Sequence, residues 1–267
     1  MNFHQVSQIN LSPDFIECIV FWTKNAVPFM DYLEELNRMG YMYMFQYTIT
    51  PYDNTLEKNI SDKSDIIKNV LELSEKIEKK RIVWRYDPIL LNDTYTVNRH
   101  IELFEEMCSL LYTAVNHVVI SFIDLYQKNR GYRLYELSTD EITHLAQAFG
   151  EIGAKYKLPI KTCCENYDLT KFGITKGACI DSVLLEEICN RPLLLKKATG
   201  QRKNCLCAES VDIGAYHTCL NGCIYCYATD YKRLKTKQKC YDKNSQILCD
   251  KLDFGKDIIK VRKMKKL

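Results

Sequence analysis

No run of apolar residues in this 267-residue sequence approaches the length needed to cross a bilayer, so a helical membrane span is excluded. The N-terminus lacks the apolar core of a secretory signal, and a reducing, cytoplasmic setting is therefore expected. No glycine-rich fingerprint follows an apolar run, which leaves a dinucleotide-binding sheet without support. Nor is charge extreme, at a formal +3. Cysteine is what the chain has in excess, with 13 residues. Secreted disulfide scaffolds are shorter and loop-rich. Without an export signal, thiolates used to bind metal are the better reading. A chain that is 46% hydrophobic and 27% charged has the material for one large α/β domain or two small ones.

Charge is unevenly placed. Residues 232–267 carry 13 Lys/Arg against 4 Asp, a balance of +9, so the rest of the chain sums to −6. A basic tail can dock nucleic acid. The tail has no Arg–aromatic interleaving, so a solvated, partly helical terminus is the preferred reading and nucleic-acid binding the weaker one.

Short apolar runs alternate with amphipathic stretches, the pattern of repeated βα units. Strands are expected at 18–23, 41–49, 82–86, 117–123 and 158–163. Helices are expected at 28–38, 62–80, 97–111, 138–155 and 183–189, with Ser138 and Glu141 forming a capping box. After an irregular linker at 191–209, a sixth strand at 210–213 should lead into a cysteine loop, with a helix beginning near Tyr225. Such units form parallel sheet with right-handed crossovers, so the expected fold is a complete or partial TIM-like barrel with its site at the strands' C-terminal ends. The expected organisation is a barrel body over 1–190, a completing unit over 191–231 and the basic tail over 232–267.

Residues 219–226 read Cys-Leu-Asn-Gly-Cys-Ile-Tyr-Cys. Three thiolates on one short loop can hold three irons of a [4Fe–4S] cube. No fourth cysteine follows at ferredoxin spacing, which would leave one iron open. The alternative is a structural zinc knuckle built on Cys223 and Cys226, but no second C-x₂-C half-site accompanies it. The spacing of Cys219, Cys223 and Cys226 resembles the signature of radical S-adenosylmethionine (SAM) enzymes. That resemblance implies SAM at the open iron, Gly222 and Tyr225 near the bound cofactor, and an electron donor such as ferredoxin or flavodoxin.

The stretches Ile19-Val-Phe-Trp-Thr-Lys-Asn25, Trp84-Arg-Tyr-Asp-Pro-Ile89, Gly177-Ala-Cys-Ile-Asp181 and Glu209-Ser-Val-Asp-Ile-Gly-Ala-Tyr216 resemble an uncharacterised bacterial and archaeal family. It is known as domain of unknown function 1848, and its C-terminal cysteines are similar to the radical-SAM motif. The resemblance runs over nearly the whole chain. It implies a metal cluster and a barrel but no substrate, together with a further strand and a Ser-Arg-Arg-Thr-Asp segment ahead of this chain's first residue.

Polar residues at strand ends are candidates for a pocket. Lys24 and Asn25 follow the first strand, Gln46 and Thr48 sit late in the second, and Asp124 follows the fourth. Arg85, at the third strand's end, could hold the SAM carboxylate or a substrate anion. Asp87 and Glu165 could take ribose hydroxyls or the amino group. The alternative for Arg85 and Asp87 is a structural ion pair, because side chains at i and i+2 share a face. Trp22 and Trp84 read as core. Cys164, Cys179, Cys205 and Cys207 could complete a second [4Fe–4S] cluster or a zinc site, against scattered free thiols. Cys163 could replace Cys164, with strand alternation letting only one face the site. Cys18, Cys108 and Cys189 read as core; His217, beside the motif, could be a proton donor or a ligand, although a lone histidine is more often neither. The expected function is a radical-SAM-like iron–sulfur enzyme. Its alternatives are a non-enzymatic metal-binding protein or a nucleic-acid repair or modification enzyme, the last marked by salt-dependent binding.

Overall fold

The structure, a computed structural model, describes residues 5–125, 129, 131–264 and 266. Its centre is a six-stranded, all-parallel sheet formed by β2 (Ile19–Thr23), β3 (Tyr43–Thr48), β4 (Ile82–Ile89), β5 (Val118–Phe122), β6 (Ile160–Cys163) and β7 (Ile174–Gly177). The strands lie side by side in chain order, with no pairing between β2 and β7 among the described residues. A separate two-stranded parallel sheet joins β1 (Gln5–Gln8) to β8 (Ile258–Val261). The fold is mixed α/β, and closure into a TIM barrel is not shown.

Period-two alternation sends the side chains of each strand to two faces. On one face Tyr43, Phe45 and Tyr47 of β3 and Ile82, Trp84 and Tyr86 of β4 enter the main core with side chains from α2 (Lys63–Ile77), α3 (Val97–Leu111) and α4 (Thr139–Tyr156). Trp84 stacks on Phe104, which stacks on Phe149 at 3.8 Å between ring centroids. The opposite face is different. Met44, Val83 and Val119 are covered there by α5 (Ser182–Cys189), through Leu184, Leu185 and Ile188. Farther along the same face, towards the strands' C-terminal ends, polar residues take over: Gln46, Arg85 and Asp87. A third cluster, built on Tyr52, Leu90, Tyr95 and Tyr225, packs among the loops beyond those ends.

Most of the expected elements are present. The helix over 97–111 is found with those bounds, and Ser138 and Glu141 form their reciprocal capping box. The expected 28–38 helix divides into a 3₁₀ segment, Val27–Tyr32, and α1 (Leu33–Arg38), which Gly40 ends in the left-handed region at φ +83°. The strand expected at 210–213 is not formed: these residues are exposed and lie outside both sheets. The sixth strand is instead β7. The cysteine motif therefore does not sit in a terminal βα unit, and the next helix, α6 (Tyr231–Lys239), begins six residues after Tyr225, capped by Asp230.

Close packing of α4 makes one position sensitive. A Cβ on Gly150 would lie 1.9 Å from the Phe172 carbonyl oxygen. Gly150→Ala is expected to cost about 1–3 kcal/mol in urea unfolding, despite alanine's higher helix propensity. An alanine variant as stable as the parent would mean that α4 does not pack this closely on the 170–172 turn.

Candidate functional site

The cysteine loop reaches the strands' C-terminal side without a strand of its own. It is clamped to the loop that follows β3. The Asn59 amide donates to the Asn221 carbonyl at 3.0 Å, its side chain donates to the Leu220 carbonyl at 2.6 Å, and the Ile224 amide donates to the Leu56 carbonyl at 3.0 Å. Glu57 and Cys223 form an antiparallel bridge, and the buried Asn129 side chain donates to the Ile224 carbonyl at 2.6 Å. Gly222 turns the loop at φ +73°, where a Cβ would meet that of Lys58 at 3.1 Å. Cys219, Cys223 and Cys226 line one cavity with Gly222, Thr229 and Tyr231. Cys219 is exposed, whereas burial pushes the Cys223 thiol up to about 11.

Beneath this loop lies Glu57, which the sequence did not single out. Its carboxylate is buried and accepts hydrogen bonds from Lys24 at 2.7 Å, Lys63 at 2.5 Å, Thr50 at 2.5 Å and the Tyr225 hydroxyl. Burial opposes its charge, but Lys24 and Lys63 outweigh burial and hold its carboxyl below the usual range. Tyr225 is thus an anchor, packed edge-on against Tyr52 with ring centroids 5.7 Å apart. Lys24 serves the same carboxylate. Asn25 caps the following turn, accepting from the Val27 amide at 2.9 Å, and it does not line the cysteine cavity.

A second constellation centres on Arg85. Its Nε donates to Asp87 at 3.1 Å and its Nη2 makes a further bond to the same carboxylate, which is the ion pair named as the alternative. Its Nη1 points at the Cys179 sulfur at 3.2 Å, and its guanidinium lies over the Trp22 ring at 4.8 Å. Trp22 is therefore not core. It is 52% exposed on edge strand β2, beyond the part of that face that α5 covers. Trp84 is core. Gln46 fixes the same loop by donating to the Cys179 carbonyl at 2.7 Å.

Around Cys179 the outlying cysteines gather. The Cys163 and Cys179 sulfurs are 2.6 Å apart, and the Cys207 sulfur accepts from the Cys179 and Ile180 amides at 3.2 and 3.5 Å. A hydrogen bond from the Cys179 thiol, helped by these amides, pulls Cys207 down to about 5. Cys205 bonds to Cys207, and Cys164 interacts with both. Strict alternation would have kept Cys163 and Cys164 apart. It fails because β6 ends at Cys163 and Cys164 turns into the left-handed region at φ +58°.

The remaining candidates scatter. Glu165 turns toward β5, accepting from the Phe122 amide at 2.9 Å, and burial raises its carboxyl. Asp124 pairs with Arg202 at 2.9 Å. His217 accepts from the Asp230 amide at 3.0 Å and so stabilises its own turn. Cys108 is buried as expected, and Cys18 and Cys189 meet beside the α5 core. The tail is held within itself by the Lys237–Asp250 ion pair and to the rest of the chain by Arg262–Glu209, and no described helix is long and apolar enough to cross a membrane.

No curated protein matches the chain. Among solved structures, a putative alpha-L-fucosidase from Bacteroides thetaiotaomicron VPI-5482 aligns with 66% of this chain and 84% of its own. Its 13% identity and TM-score of 0.26 carry no argument about fold or activity. A family profile covers residues 1–228, a span that holds the sheet, both cysteine constellations and Glu57 and stops before the basic tail. The chain belongs to the family described as "Domain of unknown function (DUF1848)".

Proposed function

We propose that the protein is a radical-SAM-type iron–sulfur enzyme, with Cys219, Cys223 and Cys226 as the ligands of a [4Fe–4S] cluster. The observation that carries this reading is that the three cysteines share one cavity. Gly222 and Tyr231 continue it into a cleft of about 370 Å³ between the 54–58 loop and Tyr132, within the range of small-ligand sites. The donor set fits: three soft thiols, with no competing carboxylate in the cavity lining. When bound, such a cluster supplies the electron for reductive cleavage of SAM. The chain's own part is positional. Glu57 holds Tyr225 and the loop backbone, Lys24 and Lys63 neutralise it, and Lys58 and Thr55 offer polar contacts at the cleft wall. The sequential strand order, without the reversal that marks a doubly wound sheet, supports an arc of a barrel as the scaffold.

Anaerobic reconstitution with iron and sulfide tests the reading. The protein is expected to take up about four irons at this loop and, with SAM and a low-potential reductant, to release 5′-deoxyadenosine. The triple variant Cys219→Ala/Cys223→Ala/Cys226→Ala should lose both while keeping its far-ultraviolet circular dichroism. Continued 5′-deoxyadenosine formation by that variant would sink the proposal.

A further inference from the structure

We propose that Cys163, Cys179, Cys205 and Cys207 bind a single tetrahedral zinc ion beneath the Arg85 guanidinium, separate from the Cys219–Cys226 loop. Four thiols from three distant segments meet here: the end of β6, the turn after β7, and the 205–207 loop. The Cys163 and Cys179 sulfurs touch, the Cys207 sulfur sits on the Cys179 amide at 3.2 Å, and Cys205 lies two residues from Cys207 in the same loop. Such close sulfurs suit one ion, whose thiolate ligands stand roughly 3.8 Å apart, rather than a cube, whose ligands stand about 6 Å apart. At 2.6 Å the Cys163 and Cys179 sulfurs are closer than either arrangement permits. One of them must rotate on binding, and no three His, Cys, Asp or Glu side chains among the described residues are yet posed around a common centre.

Two further observations point to thiolate at this place. Arg85 is only 4% exposed, yet it spends an N–H on the Cys179 sulfur. A neutral thiol is a weak acceptor for so strong a donor, and a metal thiolate is a good one. The Cys207 sulfur receives two backbone amides, the outer hydrogen bonding that metal thiolates attract. Binding releases a proton to solvent from each ligand that is still a thiol, and nothing is oxidised.

The site also accounts for an otherwise poorly anchored segment. Between α5 and the cysteine loop the chain forms no strand or helix, and of residues 191–209 only Leu193 and Ala208 are buried. A backbone bridge between Lys197 and Ala208 and the bond from the Ala208 amide to the Ile180 carbonyl bring Cys207 in. Zinc would lock that docking, with its binding energy acting as folding energy.

The test uses the full chain, reduced and stripped with a chelator, and then titrated with cobalt(II) and zinc. The expected result is one equivalent of cobalt with tetrahedral thiolate absorption, displaced stoichiometrically by zinc, in the parent and equally in the Cys219→Ala/Cys223→Ala/Cys226→Ala variant. Cys163→Ser and Cys205→Ser should each abolish stoichiometric binding, whereas Cys164→Ser should keep it. Cys205 lies in a partly exposed loop outside the core, so its loss leaves the fold available for measurement. Absence of a tetrahedral thiolate spectrum in the triple variant would overturn the proposal. So would binding that survives Cys205→Ser, iron and sulfide in place of zinc at these residues, or a Cys163–Cys179 disulfide as the stable form under reducing conditions.

Discussion

Glu57→Ala is expected to destabilise the fold and release the cysteine loop together. Removing one member of a buried ion pair costs about 3–5 kcal/mol, because the partner stays behind uncompensated. Here the carboxylate is 1% exposed, whereas Lys24 and Lys63 are 12% and 26% exposed and can rehydrate, so the lower end of that range applies. To this is added the Tyr225 hydroxyl, buried beside the lost acceptor. The two costs act on one place, since Glu57 also bridges to Cys223 through its backbone. The urea midpoint should fall, and iron retained at Cys219, Cys223 and Cys226 after reconstitution should fall with it. Glu57→Gln, which keeps shape and acceptor but not charge, should recover part of both. If Glu57→Ala unfolds like the parent and holds its full iron, Glu57 is not the anchor described above.

Arg85→Met separates two roles for the guanidinium. As a structural node it carries the Asp87 pair, the Cys179 and Gln46 contacts and the Trp22 stack. Asp87 is 24% exposed and can hydrate when abandoned, so the expected loss is about 3 kcal/mol rather than the upper limit for a sealed pair. Arg85→Lys should recover only a fraction, because an ammonium cannot reach Asp87, Cys179 and Trp22 at once with a planar fork. An anion-binding arginine would behave otherwise: Arg85→Met would be as stable as the parent and lose only ligand affinity. Denaturation midpoints decide between them.

The parts of the fold that were legible in the sequence are those that declare themselves locally. The 97–111 helix has its cap and apolar stripe within its own residues, as does the Ser138–Glu141 capping box. β7 was not legible, because Ile-Thr-Lys-Gly is four residues long, lies at a sheet edge and buries only Ile174. Residues 210–213 show the reverse error: alternating Val and Ile suggest a strand, but no neighbour accepts it. The spacing of Cys219, Cys223 and Cys226 is visible in any reading of the chain. Glu57 was invisible, being one acid in a polar loop whose burial depends on residues more than 150 positions later. The choice of Cys163 over Cys164 depended on where β6 ends, which alternation alone does not settle.

The pairing of β1 with β8 has a consequence in time. Gln8 is registered against Val261, so one of its strands leaves the ribosome about 250 residues before the other. The six central strands pair with neighbours in chain order and can be added one after another as synthesis proceeds. The outer pair cannot. It must wait for the tail, and it closes the longest loop of any strand pairing among the described residues, the step that chain entropy makes slowest.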